Sequence, residues 1–327
     1  MATRTTDPSA VRIDGPWAHR DVHANGIRLH VAETGEGPLV LFLHGFGQFW
    51  WTWRHQLTAL SDAGYRAVAV DLRGYGDSDK PPRGYDAWTL AGDAGGLVKA
   101  LGERKAHIVG HGWGGLLAWT VAAMHPRLVH SVAAVSAPHP LALRRQIRRT
   151  LLRRKPNNQA KALGTLFRGQ LPLAPERWLT RDDAVTVDHL MRQQAGRTWA
   201  ASVDFTKAVS RYREAMLVRG VAHSALEYYR WAVRSQVRSE GRRFTEALDR
   251  PMPVPSLRLH GADDPTMLLA TAEKSGRWLD DKAPLHVLPN VGHYPHEEQP
   301  AATNQILLDW LSGGASPGVH TPGQPRR

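Results

Sequence analysis

Residues 106–115 read AHIVGHGWGG, and this stretch decides the fold. Its first four residues form a short apolar, β-branched run, and an amphipathic segment follows from Trp113 to about His125, where Pro126 ends it. This order predicts a buried strand, a sharp turn and a helix. Glycines at 110 and 114 fit a turn in which side chains would collide with the neighbouring strand and helix.

Strand-like runs alternate with helix-length stretches through most of the chain. The runs are 39–43, 67–70, 106–109, 131–135, 257–260 and 285–288. This alternation predicts an α/β fold with a mostly parallel central sheet and helices on both faces. Residues 22–31, with Asn25 and Gly26 between the two halves, predict an antiparallel hairpin at the sheet edge.

The strand pattern disappears between residues 141 and 250, where the composition is helical, and prolines at 251, 253 and 255 precede its return. We therefore expect a core formed by 16–140 and 251–312, with 141–250 as an all-helical cap over the carboxyl ends of the strands, where open α/β sheets bind ligands. We expect residues 1–15 to be flexible and 313–327 to be disordered.

Length and composition exclude several classes of protein. The 327 residues are 42% hydrophobic, contain no apolar run long enough for a membrane span, and start with a polar segment unlike a signal peptide. Because the chain has no cysteine, disulfides, thiolate catalysis and thiolate metal sites are excluded. No residue cluster indicates a metal or an organic cofactor, and the cytoplasm is the default compartment.

The net charge of +12 is concentrated in the predicted cap. Residues 141–250 carry 23 Lys and Arg against 10 Asp and Glu, whereas the remainder carries 19 against 20. Arginines between 144 and 154 alternate with leucines and an isoleucine, which predicts a basic amphipathic helix. We favour a solvated helix face; an anionic membrane surface or an acidic partner is the alternative. Nucleic acid is not expected, because no zinc-knuckle, RNP or helix-turn-helix pattern accompanies the charge.

The turn after the central strand matches the pattern G-x-nucleophile-x-G, in which the middle residue carries the attacking side chain. Gly112 occupies that middle position, so the nucleophile position is vacant. Backbone strain at such a residue costs about 1–3 kcal/mol, which glycine avoids. The fold therefore tolerates Gly112. Covalent attack from this position is not possible, because glycine has no side chain to act as the nucleophile.

A second glycine-rich turn, residues 44–47, follows the first predicted core strand. The backbone N–H groups of Phe46 and Trp113 are candidates for an oxyanion hole. An aromatic-rich segment comes next, and we expect Phe46 and Trp50 to line a pocket. For Trp51 and Trp53, packing in the core is a strong alternative.

Asp264 and His293 each follow a predicted strand near the end of the core. An acid at 264 is suitably placed to orient a histidine, and Gly292 beside His293 supports a role in the same site. We interpret three of the other sixteen histidines, His111, His125 and His139, as structural.

Together these motifs resemble the epoxide hydrolases of the α/β-hydrolase fold, particularly their actinobacterial forms. The resemblance extends from about residue 15 to residue 312 and rests on residues 44–54, 71–78, 110–115, 261–265 and 292–298. It implies the α/β-hydrolase fold and a triad in the chain order nucleophile, acid, histidine.

In that family an aspartate at the position of Gly112 attacks the epoxide to give an ester, and a water activated by the histidine, here His293 with Asp264, hydrolyses it. Two cap tyrosines donate hydrogen bonds to the epoxide oxygen; Tyr229 matches one. The other is absent, because no tyrosine lies between residues 85 and 212, and Gly47 replaces a usual proline. The resemblance thus implies a capped pocket for a small hydrophobic molecule with little or no covalent epoxide hydrolysis.

Several alternatives remain open. His293 and Asp264 could activate water directly against an ester, lactone or epoxide, or could serve a lyase or cyclase reaction. Asp71 or Ser136, near other strand ends, could replace the nucleophile, or the glycine could be a substitution introduced into an active enzyme. An interaction protein that docks through its basic cap is the third class.

Overall fold

One eight-stranded sheet runs through the described part of the chain. The computed structural model describes residues 4–151, 158–164, 169–171, 173–280 and 283–313. The strands are β1 (Ala18–Ala24), β2 (Ile27–Thr34), β3 (Leu39–Leu43), β4 (Arg66–Val70), β5 (Ala106–His111), β6 (Val129–Val135), β7 (Ser256–Gly261) and β8 (Leu285–Leu288). Their order in the sheet is β1-β2-β4-β3-β5-β6-β7-β8.

The sheet is mostly parallel, as predicted. Every neighbouring pair from β4 through β3 to β8 is parallel, and only β1 with β2 and β2 with β4 pair antiparallel. Asn25 and Gly26 turn between β1 and β2 with φ of 48° and 78°, the backbone that a two-residue hairpin turn requires. The edge hairpin predicted from these two residues is therefore confirmed.

The central strands are buried on both faces, which explains their continuous apolar sequences. All five residues of β3 are buried, and β5 and β6 bury all but one residue each. Helices cover both sides of such a sheet, so no alternation with polar residues is needed. The carboxyl ends of the parallel strands then meet at one edge, where the candidate site residues lie.

Among the described residues, α-helices and a few short 3-10 helices make up the rest of the regular structure. The α-helices are α1 (Arg54–Asp62), α2 (Ala87–Ala100), α3 (Trp113–Met124), α4 (Pro140–Leu151), α5 (Gln159–Ala162), α6 (Ala174–Gln194), α7 (Arg197–Ala200), α8 (Val203–Met216), α9 (Val221–Arg234), α10 (Ser239–Leu248), α11 (Leu269–Glu273), α12 (Pro295–Glu298) and α13 (Pro300–Leu311). Residues 181–184 interrupt α6 with non-helical backbone. None of these helices combines the length and the apolar character that crossing a bilayer would demand.

The described residues between β6 and β7 form helices and no strand. The insertion begins at α4, one residue before the predicted boundary, and it carries the basic amphipathic helix as far as residue 151. The end of that predicted helix, residues 152–155, lies outside the described residues, as does the predicted disordered tail beyond Gly313.

Residues 4–15, which belong to the segment expected to be flexible, contact the rest of the molecule at several points. The Thr6 N–H donates a hydrogen bond to the carbonyl of Leu217, the residue after α8, and Val11 is buried in the core. Arg12 forms ion pairs with Asp21 and Asp77. These contacts link residues far apart in the chain, so the local polarity of the segment gave no sign of them.

Candidate active site

Gly112 lies between β5 and α3 with φ of 51° and ψ of −114°. Few residues other than glycine adopt this backbone without strain. A Cβ at this position would lie 3.4 Å from His293 Nε2 and 3.8 Å from Gly45 Cα, which are ordinary contacts. A side chain at position 112 would therefore start directly beside the imidazole of His293.

Close packing around the turn explains the glycine at position 114. A Cβ on Gly114 would collide with the carbonyl group of Leu43 at the end of β3. The first turn of α3 thus approaches the backbone of the neighbouring strand more closely than any side chain allows. This contact fixes the start of α3, and with it the position of Gly112.

His293 and Asp264 form a buried pair beside this turn. His293 Nδ1 lies 2.8 Å from Asp264 Oδ2, and Asp264 Oδ1 accepts hydrogen bonds from the N–H groups of Thr266 and Met267 at 2.8 and 2.9 Å. Burial alone would raise the pKa of Asp264, but attraction to His293 and the hydrogen bonds outweigh it and lower that pKa. The aspartate is therefore an anion that orients the imidazole, leaving Nε2 toward Gly112.

Glu298 holds the loop that carries His293, a contact that the sequence analysis missed. Its carboxylate accepts hydrogen bonds from the N–H groups of Gly292 and Tyr294, on either side of His293, and from Gly196 of the cap. The N–H of His293 itself donates to the Gln194 carbonyl at the end of α6. The position of the imidazole thus depends on both core and cap.

His111, at the end of β5, contacts the same loop. Its Nε2 lies 2.8 Å from the carbonyl oxygen of His293, and its Nδ1 lies 2.8 Å from Gln48 Oε1. Burial lowers the pKa of His111 well below its usual range. This structural role agrees with the interpretation from sequence, although the sequence did not indicate contact with His293. His139, also interpreted as structural, stacks on Trp278, and His125 follows the end of α3.

Three aromatic side chains enclose the space above Gly112. The Tyr229 ring of α9 meets the rings of Phe46 and Trp113 edge to face, with centroids 4.9 and 5.1 Å apart. Burial raises the pKa of Tyr229, so its hydroxyl remains a hydrogen-bond donor at neutral pH. Phe46 and Trp113, the two proposed sources of oxyanion-hole N–H groups, therefore lie on the same side of the site as the cap tyrosine.

Trp50 does not line the cavity, and this prediction was wrong. It is fully buried beneath the N-terminal segment, where its indole N–H donates to the Val11 carbonyl at 2.7 Å and its ring meets Trp17. The short 3-10 helix Trp50–Trp53 directs its side chains into the core, and Trp53 packs on Phe42. Core packing, the alternative considered for Trp51 and Trp53, therefore describes this helix better.

A cavity of about 500 Å³ lies between the core and the cap. Residues from both parts line it, and most of them are apolar or aromatic. They include Phe46, Leu90, His111, Gly112, Trp113, Leu116, Leu117, Leu143, Arg144, Ile147, Arg148, Leu163, Gln194, Tyr228, Tyr229, Trp231, Phe244, Met267, His293 and Tyr294. Such a volume suits a drug-sized ligand. No group of three or more potential metal ligands occurs among the described residues.

Neither alternative nucleophile lines this cavity. Asp71 is fully buried and accepts a hydrogen bond from the N–H of Trp50, while its other oxygen lies 2.7 Å from His30 Nδ1. Ser136 is fully buried, and its Oγ has no hydrogen-bond partner within the described structure. Both side chains belong to the packing under the sheet edge, so neither replaces a group at position 112.

Comparison with known proteins places this site in a family. Residues 38–300 match the family described as alpha/beta hydrolase fold. The AB hydrolase superfamily protein YfhM of Bacillus subtilis (strain 168) is 33% identical, over 89% of this chain and 96% of its own length. Epoxide hydrolase 3 of Xenopus tropicalis is 31% identical, over 88% and 75% respectively.

Solved structures of epoxide hydrolases are also similar to this chain. The epoxide hydrolase of Bacillus megaterium, crystallised with an inhibitor, superposes with a TM-score of 0.75 at 27% identity and covers 90% of this chain and 100% of its own. An epoxide hydrolase from an endophytic Streptomyces superposes with a TM-score of 0.75 at 28% identity, covering 92% and 96%.

Proposed function

The chain belongs to the alpha/beta hydrolase family and is epoxide-hydrolase-like within it, and on that premise we propose that it binds a small, mainly apolar molecule in the capped cavity without forming a covalent ester. His293, Asp264 and Tyr229 are the polar groups that would meet the ligand or orient those that do. No cofactor is part of the proposal.

The vacancy at position 112 carries this proposal. A carboxylate attached there would start 3.4 Å from His293 Nε2, and glycine supplies no atom in that space. Removal of the nucleophile from a hydrolase triad reduces kcat by about 10⁶. Covalent epoxide opening should therefore be almost abolished, even though the histidine and its aspartate partner are retained.

The enclosure of the site supports ligand binding. Apolar side chains from α2, α3, α4 and α9 surround a space in which Tyr229 provides a hydroxyl donor. A few fixed polar groups in a mainly apolar cavity are typical of small-molecule sites. An aryl epoxide or a similar molecule could place its oxygen near Tyr229 and its ring among the apolar residues.

The test compares the parent protein with Gly112→Asp, using Gly112→Ala as the control for added backbone strain without a carboxylate. Each protein is incubated with a panel of aryl and alkyl epoxides, and diol formation is followed by chromatography. We expect measurable turnover only in Gly112→Asp, with an ester adduct visible by intact-protein mass spectrometry. Calorimetric titration of the parent with the same epoxides should show binding.

Two results would overturn the proposal. Rapid diol formation by the parent, lost in His293→Ala, would show that catalysis does not need a side chain at position 112. An ester adduct on any carboxylate of the parent would show that another residue has taken over the attack.

A second candidate function is direct general-base catalysis, and the intact pair of His293 and Asp264 favours it. With Nδ1 engaged by the carboxylate, Nε2 is free to take a proton from a water or from an acidic C–H of the ligand. In ¹⁸O-labelled water this route would place the label only in the product of an ester or lactone. Asp264→Asn should then reduce turnover by about 10⁴, as in other triads whose histidine loses its orienting acid.

A further inference from the structure

Two arginines of α4 line the same cavity as Gly112 and His293. Arg144 and Arg148 are one helical turn apart, so they lie on the same face of α4. The sequence around them is strongly basic, since residues 141–170 contain nine Lys and Arg and no Asp or Glu. These two positively charged side chains differ from the rest of the lining, which is mainly apolar.

Arg144 is only partly satisfied by protein groups. Its Nη1 donates to the Gly241 carbonyl and to Thr245 Oγ1 of α10, at 3.1 and 2.5 Å. Its Nε is buried without a partner, and within the described structure Nη2 makes no hydrogen bond. Burial and repulsion from Arg148 lower the pKa of Arg144, which is expected for a cation that lacks a counter-ion.

No carboxylate in the described residues forms an ion pair with Arg144 or Arg148. Their neighbour Arg145, in contrast, pairs with Asp249 at 3.3 Å and lies over the Trp278 ring. Glu246 faces the outer side of the same group of arginines without coming within ion-pair distance of them. Arg144 and Arg148 line both this cavity and a second, outer pocket, and Arg148 is exposed. Neither is neutralised by a carboxylate of the described residues, so both can meet an anion that enters the cavity.

The cavity is elongated and extends along α3 from Gly112. Gly112, Leu116 and Thr120 line it from successive turns of α3, so it follows that helix for about 12 Å. Leu116, Leu143 and Ile147 form an apolar cluster along this path. A ligand that fills the cavity would therefore pack an apolar body along α3 and could also meet the polar groups of the lining, Arg144 and Arg148 on α4 and His293 and Tyr229.

We propose that Arg144 and Arg148 form a carboxylate subsite, and that the ligand of this protein is an amphipathic monocarboxylic acid. The carboxylate lies against the two guanidinium groups, the apolar body lies along α3, and the far end reaches His293 and Tyr229. Guanidinium and carboxylate groups match in geometry and charge, which makes their hydrogen bonds stronger than those between neutral groups. This inference rests on the proposed small-molecule function and adds its ligand class.

The test uses phenylhexanoate and its neutral amide, which have almost the same shape. Their affinities are measured by isothermal titration calorimetry for the parent, Arg144→Met and Arg148→Met. Arg149→Met is the matched control, because it removes the same charge from the same helix at a residue that does not line the cavity.

The parent should bind the acid about 10 to 100 times more tightly than the amide. Arg144→Met should bring that ratio close to one, Arg148→Met should reduce it, and Arg149→Met should leave it within about threefold of the parent. Circular dichroism checks the fold of each variant. Arg144 also connects α4 to α10, so Arg144→Met removes that contact as well. The ratio of the two affinities in the parent and in Arg148→Met tests the subsite with that contact intact.

The outcomes separate the two proposals. Equal affinity of the parent for acid and amide would overturn the subsite while leaving small-molecule binding intact. Loss of the preference in Arg149→Met as large as in Arg144→Met would also overturn it, since the effect would then come from overall charge. If neither compound binds to the parent, the proposed function fails and the subsite fails with it.

Discussion

The backbone at position 112 favours glycine, whereas covalent catalysis there requires a side chain. The turn from β5 to α3 holds this residue at φ of 51°, and its N–H donates to the Val135 carbonyl. A residue with a side chain would be strained in this backbone conformation, and strain of this kind is found mainly at functional sites. Glycine adopts this backbone without that strain, and Gly114 keeps its close packing on β3.

At the residue scale, Gly112→Ala should destabilise the protein by about 1–3 kcal/mol, because alanine must adopt the strained backbone. The added Cβ itself makes only ordinary contacts. The loss of stability would therefore come from the strained backbone conformation and not from a steric clash. Urea unfolding gives the measurement. Gly276→Ala is the control: Gly276 is exposed, no atom lies within 4 Å of its added Cβ, and its φ is not positive. Equal stability of parent and Gly112→Ala would show that the turn is not strained.

The site residues that could be predicted from sequence are those that directly follow a strand of the core, because the strand determines their position. Gly112, Asp264 and His293 each follow a core strand, and a parallel sheet brings such positions together. Glu298 and Arg144 could not be predicted, because their roles depend on contacts between the core and the cap or between cap helices. Trp50 was misplaced for a similar reason, since nothing local decides which face of a short 3-10 helix is buried.

At the element scale, apolar runs predicted the strands well because both faces of the sheet are covered. The predicted runs 39–43 and 285–288 coincide with β3 and β8, and the other four fall inside longer strands. The extra residues lie at strand ends, where the sequence is less apolar and pairing with a neighbour decides the boundary. The order of strands and the docking of the N-terminus on α8 depend on distant contacts, so the local pattern could not supply them.

A buried ion pair joins three elements behind the site. Glu297 of α12 is fully buried, pairs with Arg54 of α1 at 2.9 Å, and accepts a hydrogen bond from the Tyr212 hydroxyl of α8 at 2.7 Å. Burial raises the pKa of Glu297 despite these partners. Since α8 belongs to the cap, this carboxylate connects the cap to the core.

We expect Arg54→Met to destabilise the protein by about 3–5 kcal/mol, because it leaves the buried carboxylate without its cation. Arg211→Met provides the comparison, since Arg211 pairs with Glu214 on the exposed surface of α8 and should cost at most about 1 kcal/mol. Urea unfolding of both variants measures the difference. A similar small loss in both would mean that Glu297 takes up a proton or water when Arg54 is removed.

At the scale of the whole molecule, buried histidines make the fold sensitive to acid. Burial lowers the pKa of His139 to about 3 and that of His107 to about 4, and it lowers the pKa values of His44, His111 and His296 as well. In the unfolded chain these groups titrate near pH 6.5. Below that pH the unfolded chain therefore binds protons that the folded protein does not, so acid shifts the equilibrium toward unfolding.

His139 offers a direct test of this behaviour, since its ring stacks on Trp278 at 4.6 Å and phenylalanine can preserve that contact. Above about pH 7.5 neither state of His139 is appreciably protonated, and its contribution to the free energy of unfolding is constant. Between about pH 6 and pH 4 only the unfolded state is protonated, which removes about 1.4 kcal/mol of stability per pH unit. His139→Phe should flatten the pH dependence by that amount, measured by urea unfolding at several pH values. His189→Gln, at an exposed position of α6, is the control. An unchanged slope in His139→Phe would mean that His139 accepts a proton in the folded protein, and the acid sensitivity would then have to arise elsewhere.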